Sequence, residues 1–130
     1  MTDKIPLLID TDPGVDDALA LLFAVRHPGI ELRAVTCVAG NTDVDGVVRN
    51  TLTVLEQAGA PETPVARGAE RPLLEPARPA THVHGADGMG DLGLPAPAQQ
   101  TATKIITENG QPALALDEQF AARLRDGGMK

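Results

Sequence analysis

Four aspartates fall within eight residues near the start of the chain: Asp10, Asp12, Asp16 and Asp17. Carboxylates crowded this closely repel one another unless a cation or a shared proton offsets the charge. Their hard oxygens suit Ca²⁺ or Mg²⁺, and nothing nearby offers the cysteine or paired histidine that zinc prefers. Helix starts favour one or two acidic side chains through capping and the helix dipole. Two of these four, however, precede the expected helix and directly follow an apolar strand, which is more than capping needs. Asp12 and Asp16 stand four apart, close to one helical turn, while Asp17 is rotated by about 100° from Asp16. One helix start can therefore send some carboxylates to a metal and others to a ligand's hydroxyls.

The elements that must hold this cluster alternate between strand and helix. Ile5 to Ile9 is a short unbroken apolar run, the pattern of a buried parallel strand, with Pro6 tolerable near its start. Asp12 is expected to cap the first helix, with Pro13 in its first position, where a missing N–H costs nothing. Ala18 to Val25 is apolar on nearly every face, which predicts a deeply buried helix carrying Phe23 into the core. His27-Pro28-Gly29 ends it, with His27 as C-terminal cap. Leu32 to Val38 is a second strand, and Cys37 within it reads as a small buried hydrophobe. Asp43 caps a second helix whose Val44, Val47, Val48, Leu52 and Leu55 form one apolar stripe. Gly59 closes that helix, and Pro64-Val65-Ala66 is a short third strand. This order predicts an α/β fold: an open, mostly parallel, doubly wound (Rossmann-like) sheet, with the aspartates at its carboxyl edge, where such sheets bind ligands.

From Ala66 the periodicity stops. Prolines and glycines crowd the segment through Pro97, the mark of a functional loop or of disorder. Near the end, Phe120 and Leu124 have helical spacing over Asp117 to Arg125.

Composition narrows the partners. The chain has 130 residues and a net charge of −7, from 18 acidic and 11 basic side chains, with only two aromatics, Phe23 and Phe120. That balance argues against nucleic acid, whose phosphates call for clustered cations and whose bases call for stacking platforms. The longest early apolar run is too short for a signal-peptide core or a membrane span. The single cysteine excludes an intrachain disulfide and fits a reducing cytoplasm.

Taken whole, Leu8-Ile9-Asp10-Thr11-Asp12-Pro13-Gly14-Val15-Asp16-Asp17-Ala18 closely resembles the N-terminal signature of the nucleoside hydrolases, the inosine–uridine-preferring N-ribohydrolase family. Three further runs agree in order: Val38-Ala39-Gly40-Asn41, Val48-Arg49-Asn50, and the loop His82-Val83-His84-Gly85-Ala86-Asp87-Gly88-Met89-Gly90. The resemblance implies Ca²⁺-dependent hydrolysis of the N-glycosidic bond of a ribonucleoside, an activity of nucleoside salvage. By position, Asp12 would bind Ca²⁺ and take a proton from the attacking water. Asp17 would be a second calcium ligand, Asp10 would support the metal cluster from the strand end, and Asp16 and Asn41 would hold the ribose. His84 would face the base or the leaving group, and His82 would be a structural hydrogen-bonder. For intact members of the family the resemblance implies a homo-oligomer.

On this reading residues 1–98 are the N-terminal part of a nucleoside hydrolase domain, with 67–98 as its active-site loop region. Residues 99–130 form a divergent tail, as in a truncated or frame-shifted product. The family's later calcium and base-side residues have no counterpart here, so the chain is expected to be inactive or impaired. Two alternatives stand beside this reading. One is a non-catalytic remnant or subunit fragment with exposed apolar surface. The other is a Mg²⁺-dependent phosphatase of the haloacid-dehalogenase type, which also carries Asp-x-Asp after a first strand; the Val15-Asp16-Asp17 block does not belong to that pattern.

Overall fold

The structure is a computed structural model that describes residues 3–98 in full and the backbone of residues 103–108 and 111–114. Strand β1 (Ile5–Thr11) leads into helix α1 (Val15–Arg26), β2 (Ile30–Cys37), α2 (Val44–Ala58) and β3 (Val65–Arg67). After a long loop with one turn of helix, α3 (Thr81–His84), come β4 (Thr103–Glu108) and β5 (Gln111–Leu114). The strands lie in the order β1-β2-β3-β4-β5. The first four are parallel, and β5 returns antiparallel to β4. An open, mostly parallel α/β sheet is therefore present. Its described strands follow chain order, and α1 and α2 pack against each other, so both long helices share one face. Residues 103–108 and 111–114, which the sequence places in a divergent tail, extend this sheet beside β3. The helix expected over Asp117 to Arg125 lies outside the described residues.

The core is aliphatic and sits between that helical face and the sheet. Leu21 from α1, Val35 and Cys37 from β2, and Val47 and Leu55 from α2 are all but inaccessible to water. The Cys37 thiol contacts Thr51 Oγ1 at 3.3 Å, and burial pushes its pKa up to about 11, so it stays a neutral thiol inside the core.

Helix α2 follows its sequence signals closely. Asp43 caps it by accepting the Gly46 N–H at 2.7 Å, and Gly59 ends it in the left-handed conformation at φ 87°. Replacing Asp43 with alanine is expected to remove about 1 kcal/mol of stability, checked by urea denaturation with an unchanged m-value.

Helix α1 and strand β1 depart from expectation in an informative way. Of the apolar α1 residues only Ala18, Leu21 and Ala24 are buried; Leu19 is 65% exposed and Phe23 61%. Phe23 lies outside the core, its ring 5.1 Å from that of His27. Strand β1 is likewise an edge of the described sheet, with Leu8 61% exposed. Both elements are apolar on two faces, but the described chain supplies neighbours to only one. His27 does cap α1, its backbone N–H donating to the Phe23 carbonyl. Among the described residues no helix is long and apolar enough to cross a membrane.

Candidate functional site

The carboxyl ends of β1 and β2 meet side by side, with Asp10 opposite Thr36 and Thr11 opposite Cys37. Each strand then turns sharply, β1 through Asp12-Pro13-Gly14 and β2 through Val38-Ala39-Gly40-Asn41. The turns are tied together: Asn41 donates from Nδ2 to the Asp12 carbonyl at 2.6 Å, and the Val38 N–H donates to the Thr11 carbonyl at 3.2 Å. Gly40 lies so close that a Cβ there would fall 1.9 Å from Asp12 Oδ2. Only glycine leaves room for this carboxylate.

Asp12 does not cap α1. The N-cap is Gly14, which has no side chain to offer, and the Val15 N–H at the start of the helix meets His84 Nδ1 at 3.4 Å. The Asp12 carboxylate turns instead toward Asp17. The Asp17 carboxylate is itself oriented by Thr11, whose hydroxyl donates to Oδ2 at 2.9 Å. Burial, first, and then the neighbouring Asp17 charge raise the pKa of Asp12 above its ordinary value. The backbone N–H groups of Asp12 and Asn41 offset part of that rise. Two carboxylates pressed together in a partly desolvated turn are a natural seat for a cation.

The remaining sequence candidates take distinct places. Asp10 is exposed and accepts the Thr36 hydroxyl at 2.6 Å. No group of three or more His, Cys, Asp or Glu side chains converges to hold a metal among the described residues. Asp12 and Asp17 are thus brought together, while Asp10 is held to one side by Thr36. Asp16 is exposed in the first turn of α1. His84, at the end of α3, sits directly over Gly14, where a Cβ would lie 2.5 Å from the imidazole. His82, on the same turn of helix, is exposed. Sequence reasoning missed Thr11 and Thr36, which orient Asp17 and Asp10; a threonine beside each aspartate across the strand ends was the available signal.

A cavity of about 250 Å³ lies against Gly40, between the turn after β2 and the loop from Glu70 to Pro79. Pockets that enclose a small ligand usually measure about 300–1,000 Å³. Asp43 lines this cavity, but Asp10, Asp12, Asp16 and Asp17 do not. Asp12 lies beside it, packed against Gly40 of its lining.

The crowding of Asp12 makes a prediction about stability. A carboxylate whose folded-state pKa is raised holds its proton better in the folded than in the unfolded chain. Stability then falls as pH rises from the ordinary value of 3.8 through the raised one, and stays lowered at neutral pH. With divalent cations chelated, Asp12→Asn is expected to melt at a higher temperature than the parent at pH 7. The difference should vanish below about pH 3.8. Thermal melts across that range check it.

The sequence profile described as inosine-uridine preferring nucleoside hydrolase matches residues 7–123, running into the segment from residue 99 that sequence reading set apart. A probable uridine nucleosidase 1 of Oryza sativa subsp. japonica is 48% identical over 105 residues, covering 79% of this chain and 31% of that protein. Among solved structures, a plant nucleoside hydrolase superposes with a TM-score of 0.68 at 38% identity, over 72% of this chain and 30% of its own. An inosine-guanosine nucleoside hydrolase superposes with a TM-score of 0.71 at 31% identity, over 96% of this chain and 36% of its own. The chain thus spans about a third of the length of these relatives.

Proposed function

This chain belongs to the inosine-uridine preferring nucleoside hydrolase family, and from that premise we propose that its aspartate cluster hydrolyses the N-glycosidic bond of ribonucleosides with the help of Ca²⁺. The single observation that carries the reading is the Asp12–Asp17 pair, held in contact by Thr11, Gly40 and Asn41 at the end of β1. The family match favours the nucleoside hydrolase pattern over the phosphatase pattern for the Asp10–Ala18 run.

The donor set fits a hard cation, since both convergent groups are carboxylates. Asp12 and Asp17 would hold the ion, with Asp10 as an outer support through Thr36. Bound Ca²⁺ supplies acidity to a water molecule and a meeting point for sugar hydroxyls. Asp12 takes the proton from the attacking water. Asp16, exposed beside the pair, accepts a hydrogen bond from a ribose hydroxyl, and Asn41 steadies the turn against which the ribose rests. The sugar develops positive charge as the base departs, and the surrounding carboxylates stabilise it. His84, over Gly14, faces the departing base.

Ca²⁺ prefers six to eight oxygens, and the described chain converges two carboxylates on the site. Binding is therefore weak and turnover impaired. Inosine and uridine incubated with the purified chain are expected to release free base and ribose slowly, and only when Ca²⁺ is in the millimolar range. Release that persists in a calcium chelator would contradict the metal's role. No release of base from either nucleoside at saturating Ca²⁺ would contradict the activity.

The exposed apolar faces of α1 and β1 favour a second reading, a fragment that functions against a complementary partner. That reading expects the chain to self-associate and to gain no thermal stability from Ca²⁺.

A further inference from the structure

We propose that Asn50, in the middle of α2, is a positioning residue for His84, acting through the loop from Gly85 to Asp91. The inference rests on the reading above for its functional meaning, but its geometry stands apart from the aspartates.

Asn50 is buried, and a buried amide needs partners. It donates from Nδ2 to the Asp87 carbonyl, 37 residues away, at 2.8 Å. Gly88 then passes over α2 at φ 75°, so close that a Cβ would press on Thr42 and on Asn50 Nδ2 at 3.1 and 3.3 Å. Met89 inserts into the core beside it. The loop is closed on itself above this anchor. Asp87 accepts the N–H groups of Met89 and Asp91 at 2.7 and 2.9 Å, and Asp91 accepts the Asp87 N–H at 3.2 Å. Finally the Gly90 N–H donates to the His84 carbonyl at 2.6 Å. A chain of contacts thus runs from α2 to the backbone of His84, whose imidazole Nδ1 accepts the Val15 N–H. Further along α2, at three-residue steps from Asn50, the Thr53 hydroxyl donates to the Arg49 carbonyl at 3.0 Å and lies 3.4 Å from that of Pro95, and Glu56 accepts the Ala98 N–H at 2.8 Å. Asn50 sets the height at which the loop leaves the helix.

Since Nδ1 accepts, the neutral His84 ring must carry its proton on Nε2. That tautomer has a spectroscopic signature, a wide split between the two ring-nitrogen signals in ¹⁵N-labelled protein above the imidazole's pKa. The experiment records it in the full chain without nucleoside or metal, for the parent and for Asn50→Asp, Gly88→Ala and Thr53→Val. Asn50→Asp keeps the shape and removes the donor, while Gly88→Ala forces the loop off α2 from the opposite side. Should Asn50→Asp fail to fold, Gly88→Ala still tests the contact. The expected result is the full split in the parent, its narrowing in both of those variants toward that of a free imidazole, which mixes the two tautomers, and its full width in Thr53→Val. A parent without the signature would overturn the proposal. So would its survival at full width in Asn50→Asp or Gly88→Ala, or an equal narrowing in Thr53→Val. Failure of nucleoside hydrolysis would not alter this readout, so the two readings fall separately.

Discussion

Asp12→Ala is expected to lower the rate of nucleoside hydrolysis by about 10²–10⁴-fold, the range lost when a positioned general base is removed. So large an effect is expected because no other described carboxylate stands ready to replace it. Asp17 is turned by the Thr11 hydroxyl, Asp10 is held by Thr36, and Asp16 is exposed on the helix. The same substitution removes one of the two converging carboxylates, so Ca²⁺ affinity should fall with the rate. Steady-state rates across a Ca²⁺ series separate the two effects. A loss confined to affinity would be recovered at high Ca²⁺, whereas a lost base would not.

Gly40→Ala is expected to reproduce most of that defect while leaving every carboxylate in place. Its Cβ would meet three side-chain atoms of Asp12, with Oδ2 at 1.9 Å, Cγ at 2.7 Å and Cβ at 2.8 Å. Contacts this short cannot be absorbed by a shift of a few tenths of an ångström. Rotation of Asp12 about its first torsion carries the carboxylate away from Asp17 and frees Oδ2 and Cγ, but it leaves the Asp12 Cβ at 2.8 Å, so the two turns must also move apart. Because Gly40 does not need a positive φ, the backbone itself can accept alanine. The damage should therefore fall on the site and on the packing of the two turns: a large loss of rate and Ca²⁺ binding, with a lowered melting temperature. Relieved of its neighbour, the Asp12 carboxyl would also titrate closer to the ordinary range. Carbonyl-carbon NMR titration of Asp12 checks that shift.

Much of this was legible in the sequence because it depends on residues close together in the chain. The Asp43 cap, the Gly59 stop and the apolar stripe of α2 are each contained in a few turns, and the structure shows them where the spacing placed them. The Asp12–Asp17 pairing is similarly local, spanning one strand end and one helical turn. What the sequence could not show depends on which strands become neighbours. An apolar run such as Ile5 to Ile9 looks the same at the centre of a sheet and at the edge of the described one. Phe23 looked like core because α1 is apolar all round, yet only one of its faces meets α2 and the sheet. The spacing allows Asp12 to cap α1. The contact with Gly40, 28 positions on, gives the carboxylate another place. Asn50 was visible only as part of a familiar run, since its partner lies in a loop with no periodicity to predict its path.

The central claim, that Asp12 and Asp17 together form the cation seat, is tested most directly by calorimetric titration of Ca²⁺ into the parent chain and into Asp12→Asn. The predicted result is one weak site in the parent, with a Kd of about 10⁻⁴–10⁻³ M, and no measurable site in the variant. Equal Ca²⁺ uptake by the two proteins would contradict it.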